Sequence, residues 1–242
     1  MQSAVGIIPA RYASQRFPGK PLAPILGRPM IQWVYERACT ARRLHRIIIA
    51  TDDERIRRRS ESFGAEVRMT SSRHISGTER AAEAAEDLDA SFIINIQGDE
   101  PLLRGDMLDS LVSGLQESDS PMVTLVNRCH NPDLFHDKNV VKVVVDRNDH
   151  ALYFSRSPIP STFHDQFLRH VGLYGYRKDF LLRFASFSAS PLEKQECLEQ
   201  LRALEHGFRI KIIESRYESL SVDTPEDIIN VEDHLREEGF NG

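Results

Sequence analysis

Short, almost wholly apolar runs at residues 4–8, 46–50 and 91–97 read as buried strands, each bounded by polar or turn-forming residues and too short for a buried helix. Between them the apolar period changes. In residues 29–41, Ile31, Val34, Tyr35 and Ala38 recur at three- and four-residue spacing, the stripe of an amphipathic helix, and Pro29 suits a first turn but not an interior. Residues 53–62 and 79–88 read as two further helices. Strands and helices alternating in this way predict an α/β fold with a mainly parallel central sheet and helices on both faces.

The second half changes character. Residues 122–128, 140–146, 151–156 and 167–177 are strand-like, with Arg147-Asn148-Asp149-His150 as a hairpin connection, so extra antiparallel strands are expected. Residues 192–206 read as one helix, 209–214 as a strand, and 225–237 as a final helix introduced by Asp223-Thr224-Pro225. No repeat or linker divides the chain. Its 242 residues fit one domain, 1–242, with a smaller antiparallel insertion at about 122–177.

In a parallel sheet, ligands bind outside the carboxyl ends of the strands, and the residues following the three strands are polar and specialised. The first loop carries Arg11, Arg16 and Lys20 among small residues and Gly19, which suits a triphosphate: fixed positive charge, backbone amides and room for close approach. It lacks the GxxxxGK[ST] order of a Walker loop, and a solvated basic loop is the plainer alternative. Asp99 follows the third apolar run and suits Mg²⁺, which takes one or two carboxylates together with phosphate oxygens and water. Asp223 would supply a second carboxylate, although Asp before Thr-Pro is also an ordinary helix cap. Ser76-Gly77-Thr78-Glu79-Arg80 suits either a base or phosphate contact or a simple capped helix start. Along the strand at 167–177, His170, Gly172, Tyr174 and Tyr176 share a face, and with Arg156 and Arg169 they suit a carboxylate and hydroxyls.

Composition narrows the class. A net charge of −5 with scattered basic residues does not make a surface for nucleic acid, so no nucleic-acid partner is expected. Three widely separated cysteines, Cys39, Cys129 and Cys197, form neither a disulfide framework nor a zinc site, which points to a reducing cytoplasm. No run approaches a membrane span and the first residues do not read as a signal peptide, so no membrane insertion is expected.

The ordered motifs resemble one family over nearly the whole chain. They are Ile7-Ile8-Pro9-Ala10-Arg11-Tyr12 through Phe17-Pro18-Gly19-Lys20-Pro21-Leu22, Ala50-Thr51-Asp52, Ser76-Gly77-Thr78-Glu79-Arg80 and Asn95-Ile96-Gln97-Gly98-Asp99-Glu100-Pro101. They continue with Val140-Val141-Lys142-Val143-Val144, Ala151-Leu152-Tyr153-Phe154-Ser155-Arg156, Arg169-His170-Val171-Gly172-Leu173-Tyr174, Leu198-Glu199-Gln200-Leu201-Arg202 and Val222-Asp223-Thr224-Pro225-Glu226-Asp227. The set resembles the 3-deoxy-manno-octulosonate cytidylyltransferase (CMP-KDO synthetase) family.

That resemblance implies a Rossmann-like nucleotidyltransferase sheet, a homodimer built partly through the antiparallel insertion, and CMP transfer from CTP to KDO for lipopolysaccharide. It implies that Arg11, Ser14, Arg16 and Lys20 hold the triphosphate, and that Ser76, Gly77, Thr78 and Arg80 hold cytidine or its phosphate. Gln97, Arg156, His170, Tyr174 and Glu199 would hold the sugar acid, while Asp99 and Asp223 hold Mg²⁺, tipping Asp223 from cap to metal. Arg11, Lys20, Asp99 and Asp223 would be the catalytic set, with no obvious general base among them. Two departures stand out: the connection at 161–166 is short beside the charged loop of many relatives, and His136-Asp137-Lys138-Asn139 replaces an Asp-Pro-Asn turn. The first leaves 8-amino-KDO or a sialic acid open as the substrate. A nucleotide or sugar sensor without chemistry is the alternative from another class.

Overall fold

The computed structural model describes residues 3–13, 17–217 and 220–240. From the amino end these form β1 (Ala4–Ala10), the short pair β2 (Pro24–Ile25) and β3 (Arg28–Pro29), α1 (Met30–Ala38), β4 (Arg46–Thr51), α2 (Glu54–Ser62) and β5 (Glu66–Met69). Next come α3 (Gly77–Ala85), β6 (Phe92–Asn95), α4 (Gly105–Glu117), β7 (Met122–Cys129), α5 (Pro132–His136), β8 (Lys142–Val145) and β9 (Ala151–Ser155). The chain closes with β10 (Phe167–Arg177), α6 (Lys178–Ala185), α7 (Pro191–Glu196), α8 (Gln200–Glu205), β11 (Ile210–Glu214) and α9 (Asp227–Glu237).

The main sheet runs β11-β7-β10-β6-β1-β4-β5, with β8 attached to β10 and β9 to β8. Within the seven-strand path β10 alone runs against its neighbours: β1 pairs in parallel with β4 and β6, and β11 with β7, while β10 is antiparallel to both β6 and β7. Strand alternation sends successive isoleucines to opposite faces. Ile7, Ile48 and Ile93 join α3, α6 and α8 in one core, whereas Ile8, Ile49 and Ile94 join α1 and α4 in another. A smaller core of Ile25, Met30, Trp33, Val222, Val231 and Leu235 seats α9 against the β2–β3 region.

The strands and helices expected in the first half are present. Pro29 stands just before α1 as its N-cap, and Asp53 caps α2 by accepting the Arg55 amide at 2.9 Å. The four strands expected at 122–177 form, and the 147–150 connection joins β8 to β9 with Asp149 at φ 55°. β7 and the distal half of β10 lie inside the central sheet, so only α5, β8, β9 and the start of β10 extend beyond it.

The single helix expected at 192–206 is instead two, α7 and α8, broken at Cys197, which adopts a left-handed backbone at φ 54°. The break is held by Arg202 of α8, whose buried guanidinium meets Glu193 of α7 at 2.5 and 2.7 Å. Among the described residues, no helix is long and apolar enough to cross a membrane.

Candidate active site

The loops leaving the carboxyl ends of β1 and β6 meet in a cleft of about 730 Å³. Gly98 stands where they touch, and a Cβ there would lie 3.0 Å from the Pro9 carbonyl oxygen, closer than side chains ordinarily pack against backbone. The first loop is closed by the Gly19 amide, which donates to the Tyr12 carbonyl at 2.9 Å. Gly19 takes φ +74°, a conformation that side chains resist, and packs on the Tyr12 ring. On that ring lies Arg55 of α2, its guanidinium 3.3 Å from the centroid and paired with Asp53. Arg11 and Lys20 line the cleft; Ser14 and Arg16 lie outside the described residues.

At the floor, Lys20 reaches across the sheet edge. Its ammonium donates to Asp99 Oδ2 at 2.6 Å and to the Val222 carbonyl at 2.6 Å, and lies 3.7 Å from Asp223 Oδ1. Asp99 in turn fixes the last segment, its carbonyl accepting the Val222 amide at 2.9 Å. The reading of Asp223 as a helix cap does not hold. α9 begins at Asp227 with Glu226 at its N-cap, and Asp227 Oδ2 turns back to accept the Asp223 and Thr224 amides, both at 2.8 Å. Two carboxylates from distant parts of the chain are thereby held within reach of one cation.

The facing wall is Ser76, Gly77 and Arg80, with His74 and Ile75 at its rim, and Gln97 lines the cleft beside Asp99. Ser76 is both a wall residue and the cap of α3, accepting the Glu79 amide at 3.1 Å. Arg80 is buried, and it ties together the loops after β4 and β5 through Asp52 at 3.3 Å and Thr70 Oγ1 at 2.5 Å. It therefore reaches the cleft as a fixed, pre-oriented cation.

Thr78, His170, Tyr174, Glu199 and Arg156 are not among the residues lining this cleft; Thr78 and Glu199 touch each other, as do His170 and Tyr174, while Arg156 is held elsewhere, at the end of β9. Thr78 Oγ1 donates to Glu199 Oε2 at 2.5 Å, joining α3 to the start of α8. Burial raises the Glu199 carboxyl above its usual pKa, opposed by hydrogen bonds from Thr78 and Ser76. Tyr174 and His170 stand with ring centroids 5.4 Å apart on β10, and burial pushes the Tyr174 phenol far above its usual range.

His170 contacts Thr124 Oγ1 through Nε2 at 3.0 Å and packs edge-on to Phe154. Burial lowers its pKa well below the ordinary imidazole value, so the fold holds the ring neutral. The unfolded chain takes up the proton first, near pH 6.5, so the stability that this contributes is complete above that pH and is lost progressively as pH falls from there toward about 3. A His170→Gln variant is accordingly expected to flatten the fall in Tm between about pH 6.5 and pH 5, measured by thermal melts against the unaltered chain. Glu199, with a raised pKa, acts with the opposite sign just above the ordinary carboxylate range; an unchanged slope in the variant would remove His170 as the cause.

Arg156 closes β9 and is held on several sides by Glu196, Lys138 and Lys142. Lys142 and Glu196 were not among the expected site residues. A lysine inside the apolar run Val140-Val141-Lys142-Val143-Val144 was the signal for the first, and Lys142 is in fact fully buried. Glu196, hidden in what reads as a continuous helix, gave none.

Among the described residues, no three His, Cys, Asp or Glu side chains gather as a closed metal cage. Two converging carboxylates beside a cleft lined by Arg11 and Lys20 are nevertheless the donor set that Mg²⁺ shares with phosphate oxygens, so the residues present fit that ion.

A parallel sheet with its cleft at the strand ends, walled by a capped helix start and floored by a lysine and two carboxylates, defines a nucleotidyltransferase-type site. Residues 5–214 match the family model described as Cytidylyltransferase. The chain is 51% identical to the 3-deoxy-manno-octulosonate cytidylyltransferase of Syntrophotalea carbinolica, covering 97% of this chain and 99% of that one. It is 52% identical to that of Solibacter usitatus, covering 94% and 92%. A solved CMP:2-keto-3-deoxy-manno-octonic acid synthetase complexed with CTP superposes with a TM-score of 0.93 at 39% identity, over 98% of this chain and 99% of that one. A 4-diphosphocytidyl-2C-methyl-D-erythritol synthase from Anaerococcus prevotii, at 14% identity and a TM-score of 0.64, shares the fold. The chain belongs to the 3-deoxy-manno-octulosonate cytidylyltransferase family.

Proposed function

We propose that this chain transfers CMP from CTP to 3-deoxy-D-manno-octulosonate (KDO), releasing pyrophosphate and forming CMP-KDO for lipopolysaccharide synthesis, with Mg²⁺ as its cofactor. The observation that carries the reading is the convergence of Lys20, Asp99 and Asp223 at the floor of a cleft whose wall is Ser76, Gly77 and Arg80. The relatives' names supply the two substrates, and the Thr78–Glu199 and His170–Tyr174 contacts, reached from the cleft wall through Thr78, support these residues as the place for a second, hydroxyl-rich substrate.

In the reaction an anomeric hydroxyl oxygen of the acid forms a bond to the α-phosphorus as the bond to the leaving pyrophosphate breaks, and the hydroxyl proton passes to solvent. Arg11 and Lys20 neutralise phosphate charge that would otherwise repel the incoming oxygen. Asp99 and Asp223 would hold Mg²⁺, which supplies further charge neutralisation on the phosphate oxygens. Arg80, fixed by Asp52 and Thr70, orients the nucleotide without having to be ordered on binding, and Gln97, which lines the cleft and lies against Gly172 of β10, would meet the acid. A homodimer formed through the β8–β9 extension and a cytoplasmic location belong to the same proposal. Pyrophosphate release with CTP, Mg²⁺ and KDO tests it, with UTP, ATP, 8-amino-KDO and sialic acid alongside. Release confined to CTP and KDO is expected; release only with another acid moves the substrate, and binding of CTP without release for any acid favours a sensor.

A further inference from the structure

Arg156 is held at four points of its own structure. Its amide donates to Glu196 Oε2 at 3.0 Å, its carbonyl accepts from Lys142 Nζ at 2.5 Å, its Nε donates to the Glu196 carbonyl at 3.1 Å, and its Nη1 donates to the Lys138 carbonyl at 3.2 Å. Its Nη2 has no partner among the described residues. A guanidinium held in place through Nε and Nη1, with Nη2 unclaimed, keeps donors in a fixed orientation for an incoming anion.

The two tethers are built for the purpose. Lys142 is fully buried and spends all three ammonium protons on carbonyls: Asp137 at 2.9 Å, Val140 at 2.7 Å and Arg156. It thus ties the turn before β8 to the end of β9. Buried lysines are rare, and burial lowers the pKa of this one. Glu196 docks the end of α7 onto β9, one oxygen accepting Ser155 Oγ at 2.8 Å while the other accepts the Arg156 amide. Directly after it, Cys197 turns left-handed and delivers Glu199 to Thr78. One short segment, 196–199, therefore sets both Arg156 and Glu199.

We infer that Glu196 and Lys142 are positioning residues that hold the Arg156 fork ready for the carboxylate of the sugar acid; this rests on the function proposed above. Neither touches substrate. Both act through Arg156.

The test compares the unaltered chain with Glu196→Ala, Arg156→Ala and the double variant, with Glu196→Gln as the conservative change. Glu196→Ala is expected to raise KM for the acid about tenfold while KM for CTP stays within about twofold. In the Arg156→Ala background the same change should add nothing, because the group through which it acts is gone. Glu196→Gln keeps an acceptor for the Arg156 amide and should recover most of the loss. Lys142→Met is the parallel variant, and where it fails to fold the Glu196 series decides. An unchanged KM for the acid in Glu196→Ala, or a penalty undiminished when Arg156 is already alanine, overturns the inference.

A second readout needs no turnover. The Arg156 Nε–H signal in ¹⁵N NMR spectra, assigned by its loss in Arg156→Ala, should exchange with solvent about tenfold faster in Glu196→Ala, because the undocked α7 end no longer holds the accepting carbonyl. Equal exchange in both proteins overturns the positioning role. Absence of CMP transfer to any acid by the unaltered chain would instead sink the functional reading, leaving the exchange result to judge the positioning.

Discussion

Replacing Asp99 with alanine is expected to lower CMP transfer on the order of a thousandfold while the chain stays folded. The side chain is partly exposed at the cleft floor, so its loss opens no cavity in any of the three larger cores. What goes is the carboxylate nearest Lys20 and one of the two carboxylates proposed to hold Mg²⁺. The Asp99 carbonyl keeps its bond to the Val222 amide, because that contact is backbone to backbone, so the terminal segment stays seated. Pyrophosphate release, with circular dichroism and Tm as controls for folding, measures the effect. A folded variant within about tenfold of the unaltered rate would remove Asp99 from the catalytic set.

The second large effect has two signs. Lys20→Met is expected to cost about a hundredfold in turnover, through loss of a fixed cation against the phosphates. It should also increase the affinity of the nucleotide-free protein for a divalent ion, followed with Mn²⁺ by electron paramagnetic resonance. The ammonium stands 2.6 Å from one carboxylate and 3.7 Å from the other, so it competes for the same oxygens. Removing it takes the cluster of one lysine and two aspartates from a net charge of −1 to −2. Weaker or equal Mn²⁺ binding in the variant would show that Lys20 assembles the carboxylate pair and does not compete for it.

The parts of this molecule governed by local rules could be read directly from the chain. Apolar runs such as Ile47-Ile48-Ile49-Ala50 gave the parallel strands, and Asp53 and Ser76 marked helix starts that their side chains do cap. The family resemblance, more than any local rule, implied Arg11, Lys20, Ser76, Gly77 and Arg80 for the nucleotide, Gln97 for the acid and Asp99 and Asp223 for a metal, and all eight line one cleft. What escaped was set by tertiary contacts. The break between α7 and α8 occurs in a stretch with sound helical character because the Arg202–Glu193 pair and the left-handed Cys197 hold it open. α4 and α6 went unnamed although both bury an apolar stripe. Arg80 reads as a free phosphate ligand until its bonds to Asp52 and Thr70 are seen; of the tethers on Arg156, Lys142 is marked only by its place in an apolar run, and Glu196, 40 positions away, leaves no short-range trace.

The order of strands across the sheet also sets a timetable for synthesis. β5, β4, β1 and β6 lie side by side and come from residues 4–95, so the half that carries the first loop and the α3 wall leaves the ribosome complete. β10, β7 and β11, which carry or support His170 and Tyr174, come from residues 122–214 and are added afterwards. Val222 and Asp223 emerge later still and fasten onto Lys20, made some two hundred residues earlier. The nascent chain thus owns the Ser76–Arg80 wall well before it owns the carboxylate pair, and a chain ending between Glu214 and Val222 carries the residues of every strand of the sheet yet lacks Asp223 at the cleft floor.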